Sequence, residues 1–138
     1  MVKTVTLSFA TKGECDLKDI TPAVARALLG SGLSSGVVAV FIPGSTAGVT
    51  TIEYESGAIS DFREAVERLF PSDRPYRHNE RWGDGNGFSH IRASMLGPSL
   101  TVPFRDTRLL LGTWQQIVLV DFDNRARQRE VLLQFIGE

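Results

Sequence analysis

The chain has 138 residues and a mass of 15.2 kDa, a length that suits one domain. Lys+Arg number 15 and Asp+Glu 16, so the net charge is −1 at pH 7, and no basic excess points to nucleic acid or to an anionic membrane. Apolar residues at 42% exclude a disordered chain, and the single cysteine, Cys15, excludes an intramolecular disulfide framework and a multi-cysteine zinc site.

The first segment alternates, with Val5, Leu7 and Phe9 on one face and Thr4, Thr6 and Ser8 on the other, the pattern of a half-buried strand. Lys12-Gly13 reads as a turn, and a short partner strand follows through Cys15, Leu17 and Asp19. Thr21-Pro22 then predicts a helix start with Thr21 as its N-cap, over about 21–30, with Val24, Ala27 and Leu28 on its apolar face. Gly30-Ser31-Gly32 ends it. Val37 to Ile42 is a β-branched run suited to a buried strand, Pro43-Gly44-Ser45-Thr46 breaks it, and Ala47 to Tyr54 is another strand. Phe62, Val66, Leu69 and Phe70 recur at helical spacing and predict a second helix over 58–70, stopped by Pro71.

The polar stretch 71–87 reads as one long loop inside the domain, because patterned segments continue on both sides. Beyond it the pattern is read as all β, with strands over 88–96, 99–105, 114–122 and 129–136. Trp114 to Phe122 is apolar on both faces and is placed centrally. No stretch reaches the roughly 18 apolar residues of a membrane span, and no signal-peptide core opens the chain. The fold class expected is α+β: one compact domain over 1–138, an antiparallel β-sandwich or barrel-like assembly carrying two helices. A reducing, cytoplasmic setting fits the lone thiol.

Several groups are candidates for chemistry. Gly83-Asp84-Gly85-Asn86-Gly87 gives the backbone close approach to a ligand and amides that can form an anion nest, with a tight turn as the plain alternative. His78 and His90, the only histidines, flank this string and can meet if the loop folds back. With Asp84, Glu53 or Glu55 they are candidate ligands for a divalent ion, Mg²⁺ or Zn²⁺. Ser45 and Thr46 offer hydroxyls and amides for a phosphate. Glu53 and Glu55, two apart in a strand, share a face. In a strand His90, Arg92 and Ser94 also share a face, a row suited to an anionic group, with Arg92 holding a phosphate through its planar fork. The alternative is a polar outer strand face. Trp114 is either a core anchor or a stacking surface for an aromatic ligand. Arg125, Arg127 and Arg129 read as a solvated face, and Cys15 as a small buried hydrophobe.

The strings Gly85-Asn86-Gly87, Ser89-His90-Ile91-Arg92-Ala93-Ser94, Leu96-Gly97-Pro98-Ser99-Leu100-Thr101-Val102-Pro103 and Leu111-Gly112-Thr113-Trp114-Gln115-Gln116 together resemble the YjbQ family, a group described as secondary thiamine-phosphate synthases. The resemblance covers nearly the whole chain. It implies a compact α+β domain assembling as a homotrimer. It also implies a weak transferase activity that joins a hydroxymethylpyrimidine pyrophosphate to a thiazole phosphate and releases pyrophosphate. A non-catalytic trimeric binding protein for a small phosphorylated or heteroaromatic metabolite is the other reading. The residues that would serve are His90, Glu53 and His78 at the reacting centre, and Ser45, Thr46, Asn86, Gly87, Arg92, Ser94 and Trp114 around the substrates. His90 and His78 would hold any metal. Gly44 and Phe88 stand where many relatives carry histidine.

Overall fold

The computed structural model describes all residues, 1–138. The inward-facing alternation builds a five-stranded antiparallel sheet in the order β1 (Val2–Thr11), β8 (Arg127–Gly137), β3 (Gly36–Phe41), β5 (Ser99–Arg105) and β6 (Arg108–Leu109). A second antiparallel sheet has the order β2 (Asp16–Asp19), β7 (Gln116–Asp121) and β4 (Ala47–Ile52). The α+β class and the antiparallel pairing expected from the strand patterns both hold.

Two cores follow from the period-two alternation. Val131, Leu133 and Phe135 of β8, Val38 and Val40 of β3, and Ile117 and Leu119 of β7 are fully buried in the larger one. The other face of β7, Val118 and Val120, joins Phe122, Cys15, Leu17 and Ala93 in the smaller one. The strand read as apolar on both faces is thus buried on both and central in its sheet. It starts at Gln116, leaving Trp114 71% exposed in the preceding loop.

Four helices occur, two more than expected: α1 (Thr21–Ser31), α2 (Ser56–Leu69), α3 (Arg77–Trp82) and α4 (Gly87–Leu96). Thr21 is the first helical residue of α1 and not its cap. The Asp19 carboxylate accepts its N–H at 3.0 Å, and its hydroxyl accepts the Ile117 N–H at 2.8 Å. Helix α2 starts on Glu55, whose carboxylate accepts the N–H groups of Gly57 and Ala58 at 2.6 and 2.8 Å. Those two bonds hold Glu55 below the usual carboxylate range. Glu55 is therefore a helix cap, and β4 ends at Ile52, so the two glutamates do not share a strand face.

The stretch 71–87 contains α3, and 88–96 is helix instead of strand. The alternation Phe88, His90, Arg92, Ser94 was compatible with a strand, but the stretch has one β-branched residue, Ile91. Ala93, Met95 and Leu96 are strong helix formers. Gly97-Pro98 ends the run, and burial falls at helical spacing on Phe88, Ser89, Arg92 and Ala93. Gly87 opens α4 because a Cβ there would lie 2.6 Å from Tyr76 Cβ and 2.9 Å from Asn79 Oδ1.

Candidate functional site

The helical register of 87–96 decides which side chains can act together. At about 100° per residue, His90 and Ser94 lie on one face of α4, one turn apart, while Arg92 points to the opposite side. The structure bears this out. A cavity of about 370 Å³ is lined by Gly44, Ser45, Ala47, His90, Ala93, Ser94 and Pro98. Arg92 lines other cavities, with Phe88 in one of them. The row of His90, Arg92 and Ser94 expected from a strand is divided between two sides of a helix.

The fold-back of 78–90 does bring the two histidines together. Their ring centroids are 4.2 Å apart, with the planes tilted by 38°. His78 Nδ1 is buried, lies 3.5 Å from Asp84 Oδ1, and makes no hydrogen bond. Burial first, and then the neighbouring His78, lower the pKa of His90 below its ordinary value of 6.5. His90 is therefore neutral at pH 7. Such a ring accepts a hydrogen bond or stacks, and it is a poor acid.

Beneath this pair lies a buried charged network. Asp121 and Asp123 at the end of β7 are fully buried. Arg129 donates to Asp121 through Nε and Nη2, at 2.7 and 2.9 Å, and through Nη2 to Thr46 Oγ1 at 2.6 Å. Thr11 donates to Asp121 at 2.5 Å. Asp123 accepts from Thr46 Oγ1 and from Arg127 Nε, each at 3.0 Å. Burial pushes both carboxyls up, but these bonds outweigh it and leave both below the ordinary carboxylate value of 3.8. The Asp121 contacts also raise the pKa of Arg129. Arg127 and Arg129, read from the sequence as a solvated face, are thus the counter-charges of two buried aspartates. Only the alternation at 125, 127 and 129 beside Asp121 and Asp123 could have hinted at it.

Asn86 is buried between Asp84 and Asp123. Its amide nitrogen donates to Asp123 Oδ1 at 3.3 Å or, with the amide turned over, to Asp84 at 2.9 and 3.1 Å. The turned form gives the shorter bonds and is the better geometry. Gly87 N–H is spent on Asn79 Oδ1 at 2.8 Å, and Gly83 serves as the left-handed end of α3, so the glycine string is chiefly structural.

Arg129 has one nitrogen to spare. Nη1 makes no hydrogen bond and lies 3.4 Å from where a Cβ on Gly44 would stand. The backbone N–H groups of Gly44, Ser45 and Thr46 make no bond within the chain either. Gly44 and Ser45, with unbonded amides and the Ser45 hydroxyl, therefore line the His90 cavity, and the Arg129 guanidinium edge lies behind Gly44, a donor set suited to an oxyanion. Thr46 is buried and spent on Asp123 and Arg129.

Two expected site residues lie elsewhere. Ile52 pairs with Gln116 at the far end of β4 from Ala47, which pairs with Asp121. Six residues of strand span roughly 17–20 Å. Glu53, just past Ile52, and Trp114, just before Gln116, are therefore remote from His90. As for a resident metal, no three His, Cys, Asp or Glu side chains converge in a geometry that holds an ion, and the His78 and His90 rings adjoin each other at a tilt. Phe88 is buried on the Arg92 side of α4, with the guanidinium carbon 4.8 Å from its ring centroid.

Two packed antiparallel sheets with a helix-borne histidine over a buried Asp–Arg network define an α+β domain with an oxyanion-suited cleft beside that histidine. The family model described as UPF0047 protein YjbQ-like matches residues 5–138, so the chain belongs to that family. It is 41% identical over 118 residues to a UPF0047 protein of Mycobacterium tuberculosis, covering 86% of each chain. It is 36% identical over 137 residues to a UPF0047 protein of Methanothermobacter thermautotrophicus, covering 99% of this chain and 94% of that one. Among solved structures it superposes on a hypothetical protein of Aeropyrum pernix with a TM-score of 0.91 at 32% identity, covering 99% of both chains. It also superposes on a YbjQ-like protein of unknown function from Sulfolobus solfataricus with a TM-score of 0.90 at 28% identity, covering 100% of both.

Proposed function

We propose that the His90 cavity binds a small phosphorylated, ring-bearing metabolite and supports weak thiamine-phosphate synthesis. In that reaction the ring nitrogen of a thiazole phosphate forms a bond to the methylene carbon of a hydroxymethylpyrimidine pyrophosphate. The carbon–oxygen bond breaks, and its electron pair leaves with pyrophosphate. No protein nucleophile and no proton transfer are needed. What catalysis requires is alignment of the two rings and stabilisation of the departing negative charge.

The observation that carries this reading is the unspent Arg129 Nη1 beside Gly44, a residue that lines the cavity together with His90 and Ser45. Arg129 Nη1 and the amides of 44–46 take the pyrophosphate oxygens, and the neutral His90 ring stacks on a heteroaromatic ring. Any divalent ion arrives with the pyrophosphate. A second reading, a binding protein without turnover, uses the same cavity groups.

The assembly proposed with this site is a closed homotrimer. Support comes from the outer face of the large sheet. Val2, Ile136 and Val37 stand in one cross-strand row on neighbouring strands, and Phe41 lies on the same face; all four are more than a third exposed. A cytoplasmic setting belongs to the same proposal, and no helix is long and apolar enough to cross a membrane.

The test is product formation with enzyme in large excess over both substrates. Thiamine phosphate formed by the wild type and lost in His90→Ala supports transfer. Binding of thiamine phosphate without turnover establishes the second reading, and neither binding nor turnover refutes both.

A further inference from the structure

The opposite face of α4 opens on a different cavity, of about 450 Å³, lined among others by Cys15, Arg63, Glu67, Ser72, Phe88 and Arg92. We propose that it is a second ligand site, which binds a carboxylate or phosphate group between Arg63 and Arg92.

Arg92 is 5% exposed, and half of its fork is committed. Nε and Nη2 donate to the Phe70 carbonyl at 3.0 and 2.8 Å, and Nη2 to Glu67 at 2.6 Å, while Nη1 makes no hydrogen bond. Arg63 is fixed at one point, Nε donating to the Cys15 carbonyl at 3.0 Å, and both its terminal nitrogens are unbonded. Guanidinium groups with unspent donors at a cavity match the paired oxygens of a carboxylate or phosphate. The Phe88 ring packs on Arg92 and holds its plane.

The neighbouring acids do not cancel this. Glu67 is tied by Ser72, whose N–H and hydroxyl donate to Oε1 at 2.9 and 3.0 Å, so its charge stays on Arg92 and cannot swing onto Arg63. Cys15 adds no charge: burial pushes its thiol up to about 11, although both arginines pull against that. Glu14 also lines the cavity, so the net charge around it is small. That favours a carboxylate or a phosphate monoester over pyrophosphate, and separates this site from the His90 cleft.

The experiment is an NMR titration of the arginine side-chain Nε–H signals with inorganic phosphate, and separately with acetate, at constant ionic strength. Saturable movement of the Arg63 and Arg92 signals is expected with at least one of the two anions. In Arg63→Gln, an exposed position, the affinity should fall at least tenfold; in His90→Gln it should be unchanged. Alkylation of Cys15, the only thiol, should slow as the same anion saturates. No saturable movement at either arginine with either anion, or undiminished affinity in Arg63→Gln, overturns the proposal, whatever happens at His90.

Discussion

Removing Arg92 should unfasten α2 from α4. Its guanidinium bridges the Phe70 carbonyl, just past the end of α2, to Glu67 within it, from a position one turn beyond Phe88. In Arg92→Ala the Phe70 carbonyl loses both donors, which costs about 1–3 kcal/mol when no water replaces them. The Glu67 pair adds only ~0.5–1 kcal/mol, because the Glu67 side chain is half exposed and its charge is screened. Packing on Phe88 adds ~0.5–1 kcal/mol. The sum, about 2–5 kcal/mol, should lower the urea midpoint by roughly 1–2.5 M at a slope of ~2 kcal/mol per M. Arg92→Lys keeps the charge and loses the fork, so it should recover less than half of the loss. Equilibrium unfolding at one fixed protein concentration measures both. A change below ~0.5 kcal/mol in Arg92→Ala would refute the reasoning that this side chain is a structural clamp.

Three further outcomes are expected. Asp121→Asn should destabilise by about 3–5 kcal/mol in thermal unfolding, because Arg129 is left charged in a nearly buried position without its bidentate partner. For pH, His90 has a lowered pKa in the folded state, so the unfolded chain binds its proton first; stability contributed above 6.5 is lost as pH falls through the folded value. Asp121 and Asp123, also lowered, hold their contribution until pH falls below about 3.8. A melting-temperature profile should then show two limbs, and His90→Gln should erase only the upper one. Gly44→Ala should cost about 1–3 kcal/mol because Gly44 has φ +129°, a conformation L side chains rarely adopt. It should also weaken pyrophosphate binding by crowding Arg129 Nη1, read by calorimetry.

What was legible in the sequence was what period and composition control. The alternation of Val5, Leu7 and Phe9 and the 3–4 spacing of Phe62, Val66 and Leu69 became the elements they predicted, and the two-sided apolar run Trp114–Phe122 became a central strand over Gln116–Asp121. The segment 88–96 did not, because a polar row at alternate positions and a helix with a mixed surface look alike over nine residues, and tertiary burial of Phe88, Arg92 and Ala93 settled the matter. That one register error moved Arg92 from the His90 face to the far side. His78 and His90 were legible as a pair through the glycines between them. The Asp121–Arg129 network was not, since isolated charges on a strand end give no sign of being buried against each other. Glu53 and Trp114 were misplaced because proximity along the chain does not show which end of a six-residue strand holds the cleft.

Helix α4 is proposed to separate two chemistries, with the metabolite cleft on the His90 and Ser94 face. The most direct measurement is calorimetric titration of thiamine phosphate into the wild type, His90→Gln and Arg63→Gln. Binding to the wild type, at least tenfold weaker binding to His90→Gln and unchanged binding to Arg63→Gln are expected. Loss in Arg63→Gln with full affinity in His90→Gln would place the metabolite on the other face of the helix and contradict that proposal.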